Sequence, residues 1–241
     1  MFTIERRVGS SHTGSDGLLT LTAALDFMQD CSSFQIDSEK ALSSYFEKNG
    51  CGMYLTSRQV DFFQKPAYGE QLTVRTWVYE LNTLFGFRNT TICDSAGALC
   101  MACYAMGAFV DLVNAKTVRI PRELIQTIGI EDRLPMEYLP RRIRIPSVQP
   151  VAREPFTVLR SYIDKNRHMN NARYVSMAAE YLPEDFEIGR VRVEYKAAAR
   201  EGEKIIPIIH TAEHGALITL CLDGEDGFPR AIVEFTERKQ G

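Results

Sequence analysis

The feature that most constrains the fold of this chain is an internal repeat in its order of elements. In the first half, RRVGSSHTGSDG leads into the apolar-periodic stretch LLTLTAALDFMQDCSSF, and in the second half FTVLRSYIDKNRHMNN leads into ARYVSMAAEYL. A shift of 150 places aligns Ser11 with Ser161, Asp16 with Asn166, Phe27 with Met177 and Asp30 with Glu180. Each half therefore predicts a strand followed by one helix with a broad apolar side.

The segments after the two helices also correspond. RQVDFFQKPAYGEQLTVRTWVYEL resembles RVRVEYKAAAREGEKIIPIIHTAEHG, and here Gly69 falls on Gly202 at a shift of 133, because the first half has a longer connection after its helix. Each half closes with two more apolar runs around DSAG or DGEDG, which are typical of hairpin turns. Since an apolar helix side must be buried against a sheet, the sequence predicts an α+β protein of two tandem units, each a helix on an antiparallel sheet.

A segment at about 122–150 joins the two halves. Prolines within it and just before it predict an irregular or extended backbone: Pro121, Pro135, Pro140, Pro146 and Pro150. Such a crossing segment would let the two halves form one compact body.

The composition excludes several classes of protein. The net charge of -3 argues against a general nucleic-acid binder, which would usually be basic. No N-terminal run resembles a signal peptide, and no window approaches the roughly 18 apolar residues of a membrane span. The six cysteines lie scattered in apolar stretches and are expected to be reduced core residues. We therefore expect a cytoplasmic protein that does not enter a membrane.

The segment DKNRHMNNARY carries the polar residues that point to a chemical function. Asp164, Asn166 and His168 alternate, so an extended backbone would project all three to one side. Asn170 and Asn171 follow where a helix begins, and the free N–H groups there can receive a developing oxyanion. An isolated NN or DxN is usually only a turn and a helix cap. The full set favours water-mediated attack on an acyl carbonyl.

The repeat provides an internal control for this interpretation. At the shift of 150, the first half has Gly14, Asp16 and Leu18 at the places of the three polar residues. A purely structural motif would more plausibly occur in both halves. The difference favours one active site per chain, with the first half lending walls to the pocket.

Other motifs have weaker support. Cys100 and Cys103 have zinc-like spacing, but their odd separation in a strand sends the two sulfurs to opposite faces. His210 and His214 lack an HExxH context, and we expect them to be exposed. The chain has no GxSxG elbow, Walker loop or GxGxxG, so a serine hydrolase of the elbow type, a P-loop enzyme and a Rossmann reductase are poorly supported. No metal site is predicted.

The stretch from Arg119 to Arg173 is basic although the whole chain is slightly acidic. It contains eleven Lys and Arg residues against six acidic ones. A solvated surface and a positive patch suited to a phosphorylated or acidic partner are both compatible with this pattern.

These residues resemble a known family. DKNRHMNNARY resembles the catalytic segment of acyl–acyl-carrier-protein (acyl-ACP) thioesterases, with its Asp, Asn, His, small apolar residue, two Asn and Tyr. GSDGLLTLTAALDFMQD, YLTSRQVDFFQKPAYGEQLTVRTW and GFRNTTICDSAGALCMACYAMGAFVDLVNAKTVRIP resemble the family's first half. The resemblance spans nearly the whole chain.

The resemblance implies a double hotdog fold and hydrolysis of fatty acyl-ACP to free fatty acid and ACP, without a cofactor. We expect a first hotdog unit at 1–130 that supplies walls of the acyl pocket, a crossing linker at 131–150 and a second unit at 151–241 that carries the catalytic segment. Asp164 and His168 would belong to the hydrolytic network, and Asn166 would position or polarise the thioester. Leu25, Met28 and Phe34 on the first helix are candidates for the acyl-chain contacts.

One departure from the family pattern concerns a second-half strand. The family has a Glu there, and some members a neighbouring Cys, where this chain has Ala198 and Ala199. A cysteine nucleophile at that place is excluded. Three explanations stay open. Asp164 does the work of the base; another carboxylate moves in; or hydrolysis is weak and the protein serves another purpose. The carboxylates that could move in are Glu180, Glu194 and Glu201.

The hypothesis that we favour is an acyl-ACP thioesterase in which Asp164 acts as the base and the helix at 171–182 helps to stabilise the oxyanion. The alternatives are an acyl-CoA thioesterase and a catalytically weak hotdog protein that binds acyl groups. Both a monomer and a homodimer fit the sequence, since a chain with two hotdog units already contains a pair.

Overall fold

The computed structural model describes residues 1–238. The chain forms two compact units. The first contains Met1–Thr56 and Phe62–Tyr138, and the second contains Ser57–Asp61 and the chain from Leu139 onward. The boundary between the two units after Tyr138 lies within the predicted linker at 131–150.

The first unit is a helix packed on a sheet. Its helices are α1 (Leu21–Ser38), α2 (Lys40–Asn49) and α3 (Arg122–Ile125), and its strands are β1 (Phe2–Arg7), β2 (Cys51–Phe62), β3 (Gln71–Leu81), β4 (Phe85–Cys93) and β5 (Leu99–Asp111). The strand order is β1-β3-β4-β5-β2, and the pairs β1–β3, β3–β4 and β4–β5 are antiparallel. Helix α1 lies against β1, β3 and β4 and buries one side, which includes Leu25, Met28 and Cys31.

The second unit repeats this plan with a shorter helix. Its elements are β6 (Val151–Ala152), β7 (Phe156–Thr157), α4 (Asn171–Ala179), β8 (Ile188–Tyr195), β9 (Lys204–Ala212), β10 (Leu217–Gly224) and β11 (Pro229–Glu237). The order is β8-β11-β10-β9-β6, with β7 also beside β9 and residues 57–61 of β2 beside β8. All of these pairs whose register is given are antiparallel. Helix α4 packs on β10 and β11.

The start of each helix is set by a side-chain cap at corresponding positions. Thr20 accepts a hydrogen bond from the N–H of Ala23, and Asn170, which lies 150 places later, accepts one from the N–H of Ala172. Such caps satisfy N–H groups that have no partner inside the helix. The predicted start of the second helix at Asn171 is confirmed. Its predicted end at residue 182 is wrong, because the helix stops at Ala179, ahead of Pro183.

The hydrogen bonds that close each unit show the same two shifts as the sequence. In the first unit, the N–H of Gly69 donates to the carbonyl of Val8, and the N–H of Val8 donates to Glu70. In the second, Gly202 donates to Val158, and Val158 donates to Glu203. The distances lie between 2.8 and 2.9 Å in both units. The weak repeat in sequence is therefore a repeat in backbone structure.

The segment that follows α3 is mostly irregular, as its prolines predict, and polar side chains hold it. In the first unit, the indole N–H of Trp77 donates to the carbonyl of Asp132, and the hydroxyl of Tyr138 donates to the side chain of Asn89. In the second unit, the N–H of Ile143 donates to the carboxylate of Glu194. These bonds give fixed positions to a backbone that has almost no secondary structure of its own.

The cysteines form no disulfide within residues 1–238. Five of them are buried, and Cys51 is partly exposed. Burial raises the pKa of the Cys31 and Cys221 thiols to about 11, so both stay protonated and unreactive near neutral pH. In the part of the chain that the structure describes, no helix is long and apolar enough to cross a membrane, and no group of three or more His, Cys, Asp or Glu residues is placed to hold a metal ion.

Candidate active site

The segment that carries the predicted catalytic residues is a tight turn. The N–H of Asp164 donates to the carbonyl of His168 over 2.9 Å, and the N–H of Arg167 donates to the carbonyl of Asp164 over 3.0 Å. Arg167 has a φ of 63°, in the left-handed region. The extended backbone that the alternation predicts is therefore wrong. The bridge between Ile163 and Met169 closes a loop in which the backbone groups of Asp164 and His168 are paired.

The carboxylate of Asp164 stabilises this turn. Its Oδ1 atom accepts the N–H of Asn166 over 2.8 Å, an arrangement in which a side chain replaces a backbone acceptor. Asp164 and His168 are partly buried, whereas Asn166 is exposed. One carboxylate oxygen thus has a structural task, and the Asn166 amide extends into solvent.

The start of α4 lies directly after the turn. The side chain of Asn170 takes the N–H of Ala172 over 2.8 Å, and its carbonyl takes the N–H of Arg173. Asn170 is therefore the helix cap and occupies the N–H groups of Ala172 and Arg173. Of the first three helical N–H groups, the one predicted to receive an oxyanion is then that of Asn171.

The loop after β8 passes beside the turn. The N–H of Met169 donates to the carbonyl of Ala199 over 2.9 Å, and the N–H of Ala199 donates to the hydroxyl of Tyr174 over 2.8 Å. Ala199 is fully buried, whereas Ala198, at the position where the resemblance implies a Glu, is exposed. A longer side chain at position 198 would therefore meet solvent.

The carboxylates considered as substitutes for that Glu differ in their surroundings. Glu194 is 3% exposed, accepts the N–H of Ile143 and forms an ion pair with Lys196. Removing it from these partners would leave buried groups unsatisfied, so it is a structural residue. Glu180 and Glu201 are exposed. Asp164 is the carboxylate in the turn itself.

Tyr174 was not among the predicted site residues. Its hydroxyl is buried beside the loop, and burial raises its pKa to about 12, with smaller contributions in the same direction from the charges of Glu203 and Asp164. A buried Tyr hydroxyl needs a hydrogen-bond partner. This requirement, applied to the Tyr on the buried side of α4, is the signal that could have identified it.

Exposed cations flank the turn. Arg160 precedes it, and Lys165 and Arg167 are part of it, and all three side chains are exposed. The guanidinium of Arg173 lies 6.0 Å from the ring of Tyr162, at the limit of a cation–π contact. The basic stretch of the sequence thus contributes positive charge next to the polar turn.

The predicted acyl-contacting residues lie on α1 in the first unit. Leu25 and Met28 are each 1% exposed, whereas Phe34 is 44% exposed. All three lie in α1, but the structure places only the first two in the apolar interior. Whether an acyl chain contacts them stays a prediction.

The sequence matches two family models that together span most of the chain. The N-terminal domain of acyl-ACP thioesterases matches residues 1–128, and the C-terminal domain matches residues 147–226. No curated protein matches the chain in sequence.

Solved structures share the fold along the whole chain. An acyl-ACP thioesterase from Bacteroides thetaiotaomicron is 20% identical, with a TM-score of 0.88 over 98% of this chain and 97% of that one. The 12:0-ACP thioesterase from Umbellularia californica is 16% identical, with a TM-score of 0.83 over 99% of this chain and 97% of that one. The predicted α+β double hotdog fold is confirmed.

Fold and sequence together define a thioester hydrolase of the double hotdog type. The chain belongs to the acyl-ACP thioesterase family, since the N-terminal model alone matches more than half of it. Its reaction is the hydrolysis of fatty acyl-ACP, a step of fatty-acid biosynthesis.

Proposed function

We propose that the hydrolysis of fatty acyl-ACP takes place at a single site in the second unit, formed by Asp164, Asn166 and His168 with the start of α4. The observation that carries this proposal is that the chain builds the same turn twice and equips only the second with this polar set. The first turn has Gly14, Asp16 and Leu18 at these positions.

In this mechanism, a water molecule attacks the thioester carbonyl. The carboxylate of Asp164 takes the proton of the water, and His168 orients that water for the attack. The C–S bond then breaks, and Asp164 returns the proton to the departing sulfur, which leaves as the thiol of the carrier arm. The products are a free fatty acid and the carrier. Asp164 acts as the base in place of the Glu that the resemblance implies at position 198.

Two groups would stabilise the oxyanion of the tetrahedral intermediate. The amide of Asn166 is exposed and can turn towards the substrate, and the N–H of Asn171 lies at the positive end of α4. Asn170 contributes indirectly, because its cap fixes the first turn of the helix.

The carrier and the acyl chain would engage different parts of the molecule. The cations of Arg160, Lys165 and Arg167 suit the phosphate of a carrier arm and an acidic carrier protein. Leu25 and Met28, and the more exposed Phe34, are the acyl-contacting residues that we propose. We also propose a cytoplasmic location and a functional monomer or homodimer.

A second candidate function is acyl binding with weak turnover, and the exposed alanine at position 198 favours it. A missing general base typically lowers a rate by about 10²–10⁴-fold. An acyl-CoA substrate is the other alternative, since both carriers present the thioester on a phosphopantetheine arm.

The decisive experiment measures release of free fatty acid from acyl-ACPs of C8 to C18 and from matched acyl-CoAs, with the intact protein and with His168→Ala. We expect release from acyl-ACP that falls by about 10²–10⁴-fold in the variant. The matched control is Leu18→Ala, which changes the corresponding position of the first turn and should keep its rate. Equal rapid release by both proteins would contradict the proposed site, and no release above the variant's background from either carrier would support the acyl-binding function.

A further inference from the structure

The peptide group of Ala199 connects two parts of the second unit. Its carbonyl accepts the N–H of Met169 over 2.9 Å, and its N–H donates to the hydroxyl of Tyr174 over 2.8 Å. Ala199 is 0% exposed and Tyr174 is 2% exposed. Water therefore cannot replace either partner, and each bond must be made within the protein.

The first unit meets the same requirement differently. There the N–H of Leu19 donates to the carbonyl of Pro66 over 2.8 Å, which is the counterpart of the bond from Met169 to Ala199. Pro66 corresponds to Ala199, and because proline has no N–H, the helix of the first unit needs no acceptor there. The residue that corresponds to Tyr174 is Ala24. The first unit thus lacks the backbone donor, whereas the second unit provides a hydroxyl that accepts from it.

Other bonds hold Tyr174 and the loop in place. The rings of Tyr174 and Tyr195 make an edge contact with centroids 5.8 Å apart, and the hydroxyl of Tyr195 donates to the carbonyl of Asn171 over 3.0 Å. The N–H groups of Lys196 and Ala197 both donate to the carbonyl of Arg230. The loop is thus fixed before it reaches Ala199, and Tyr174 fixes it at that point.

The hydroxyl of Tyr174 stays neutral under working conditions. Burial raises its pKa to about 12, so it keeps its proton while it accepts the N–H of Ala199. A neutral hydroxyl can accept this bond with its oxygen while it keeps its own proton.

We propose that Tyr174 is a positioning residue for the hydrolysis. Its hydroxyl holds the peptide of Ala199, and the bond from Met169 to Ala199 in turn fixes the backbone on both sides of Met169, at His168 and Asn170. This inference rests on the proposed function, because it assigns Tyr174 the task of supporting the residues that carry out the reaction.

The test begins with Tyr174→Phe, which removes the hydroxyl and leaves the buried N–H of Ala199 without its acceptor. We expect kcat for acyl-ACP to fall about 10- to 100-fold, with KM within about threefold of the parent, since small misplacements of reacting groups lower the rate of the chemical step. The pH profile of kcat should keep its shape. The matched control is Tyr138→Phe, which removes a hydroxyl bonded to Asn89 in the first unit and should keep kcat.

The second variant uses the solution found in the first unit. Combining Tyr174→Phe with Ala199→Pro removes the unsatisfied N–H and keeps the carbonyl that accepts from Met169. We expect this double variant to recover at least half of the lost kcat and of the lost melting temperature. Recovery of the melting temperature without recovery of kcat would mean that the hydroxyl acts in the chemistry itself, and it would overturn the positioning role.

Other outcomes are equally decisive. If the double variant does not fold, the two Tyr→Phe variants decide between the alternatives: equal losses of kcat in both overturn the inference, and a loss confined to Tyr174→Phe supports it. A parent protein that releases no fatty acid would remove the proposed function first. An active parent with an unchanged Tyr174→Phe rate would remove only the role of Tyr174.

Discussion

In the first unit the turn before the helix is held by the carboxylate of Asp16, whereas in the second unit the corresponding turn is held by Asp164, two positions earlier. Asp16 Oδ1 accepts the N–H of Leu18 over 3.0 Å, and Asp164 Oδ1 accepts the N–H of Asn166 over 2.8 Å. A Cβ atom on Gly14 would lie 3.0 Å from Asp16 Oδ1, so the first turn has little room for a side chain at position 14. The backbone is the same, but the stabilising carboxylate occupies a different position.

In the proposed mechanism, this difference leaves the second turn free to carry reacting groups. Because Asp164 stabilises the second turn from its first position, the third position is released from that task and carries the exposed amide of Asn166. The last position changes from Leu18 to His168. The comparison separates what the fold requires, a carboxylate in the turn, from what the reaction requires.

The largest expected effect comes from removing the charge of Asp164 while keeping the turn. The oxygen of an Asn side chain can still accept the N–H of Asn166, so Asp164→Asn should fold with nearly unchanged stability. Its kcat on acyl-ACP should fall by about 10²–10⁴-fold, because the base is lost. Asp164→Ala should lose stability as well as activity. Thermal unfolding and kcat, measured for both variants, test these expectations. Full activity of the Asp164→Asn protein would leave Asp164 with only a structural role.

A reciprocal pair of variants tests the third position of each turn. Asn166→Ala keeps the backbone N–H that Asp164 binds, so it should lower kcat by about 10²-fold with little change in stability. Asp16→Ala removes the turn's acceptor, so it should cost about 1 kcal/mol of unfolding free energy and leave kcat unchanged. Denaturant unfolding and steady-state kinetics measure both. The same pattern in the two variants would contradict the division of tasks.

A smaller effect is expected at the left-handed position of each turn, where the first unit has Gly17 and the second has Arg167. Arg167→Gly should relieve about 1 kcal/mol of backbone strain and remove one cation. We expect a stability gain and an increase of about 2- to 5-fold in KM for acyl-ACP at low ionic strength. Gly17→Arg, with the opposite change in strain, should lose stability and keep its KM. A KM for Arg167→Gly that is independent of salt and equal to that of the parent would exclude carrier binding by this cation.

The smallest effect is expected from restoring the family Glu. Ala198→Glu places a carboxylate at an exposed position, and Asp164 already supplies a base, so kcat should change by less than about threefold. The matched variant Ala198→Gln separates charge from size. An increase of about 100-fold with Glu alone would show that hydrolysis in the parent is limited by the missing base.

Much of the fold could be predicted from local patterns. The repeat, the helix starts after Thr20 and Asn170 and the turns at DSAG and DGEDG depend on residues close together in the chain, where spacing and capping chemistry decide. The end of α4 could not be predicted as well, because apolar spacing continues beyond the last helical residue. The shape of the 164–168 segment was mispredicted because alternation indicates extended backbone, while a side-chain acceptor at Asp164 favours a turn.

By itself, the sequence determined that the chain contains two related halves and that the second carries a distinct polar set. Only the tertiary structure decided that Glu194 is buried and accepts the N–H of Ile143, and that Tyr174 meets Ala199. The bond between Tyr174 and Ala199 joins residues 25 positions apart in the chain. Whether such a donor finds an acceptor depends on how a helix packs against a distant loop, which no short stretch of sequence specifies.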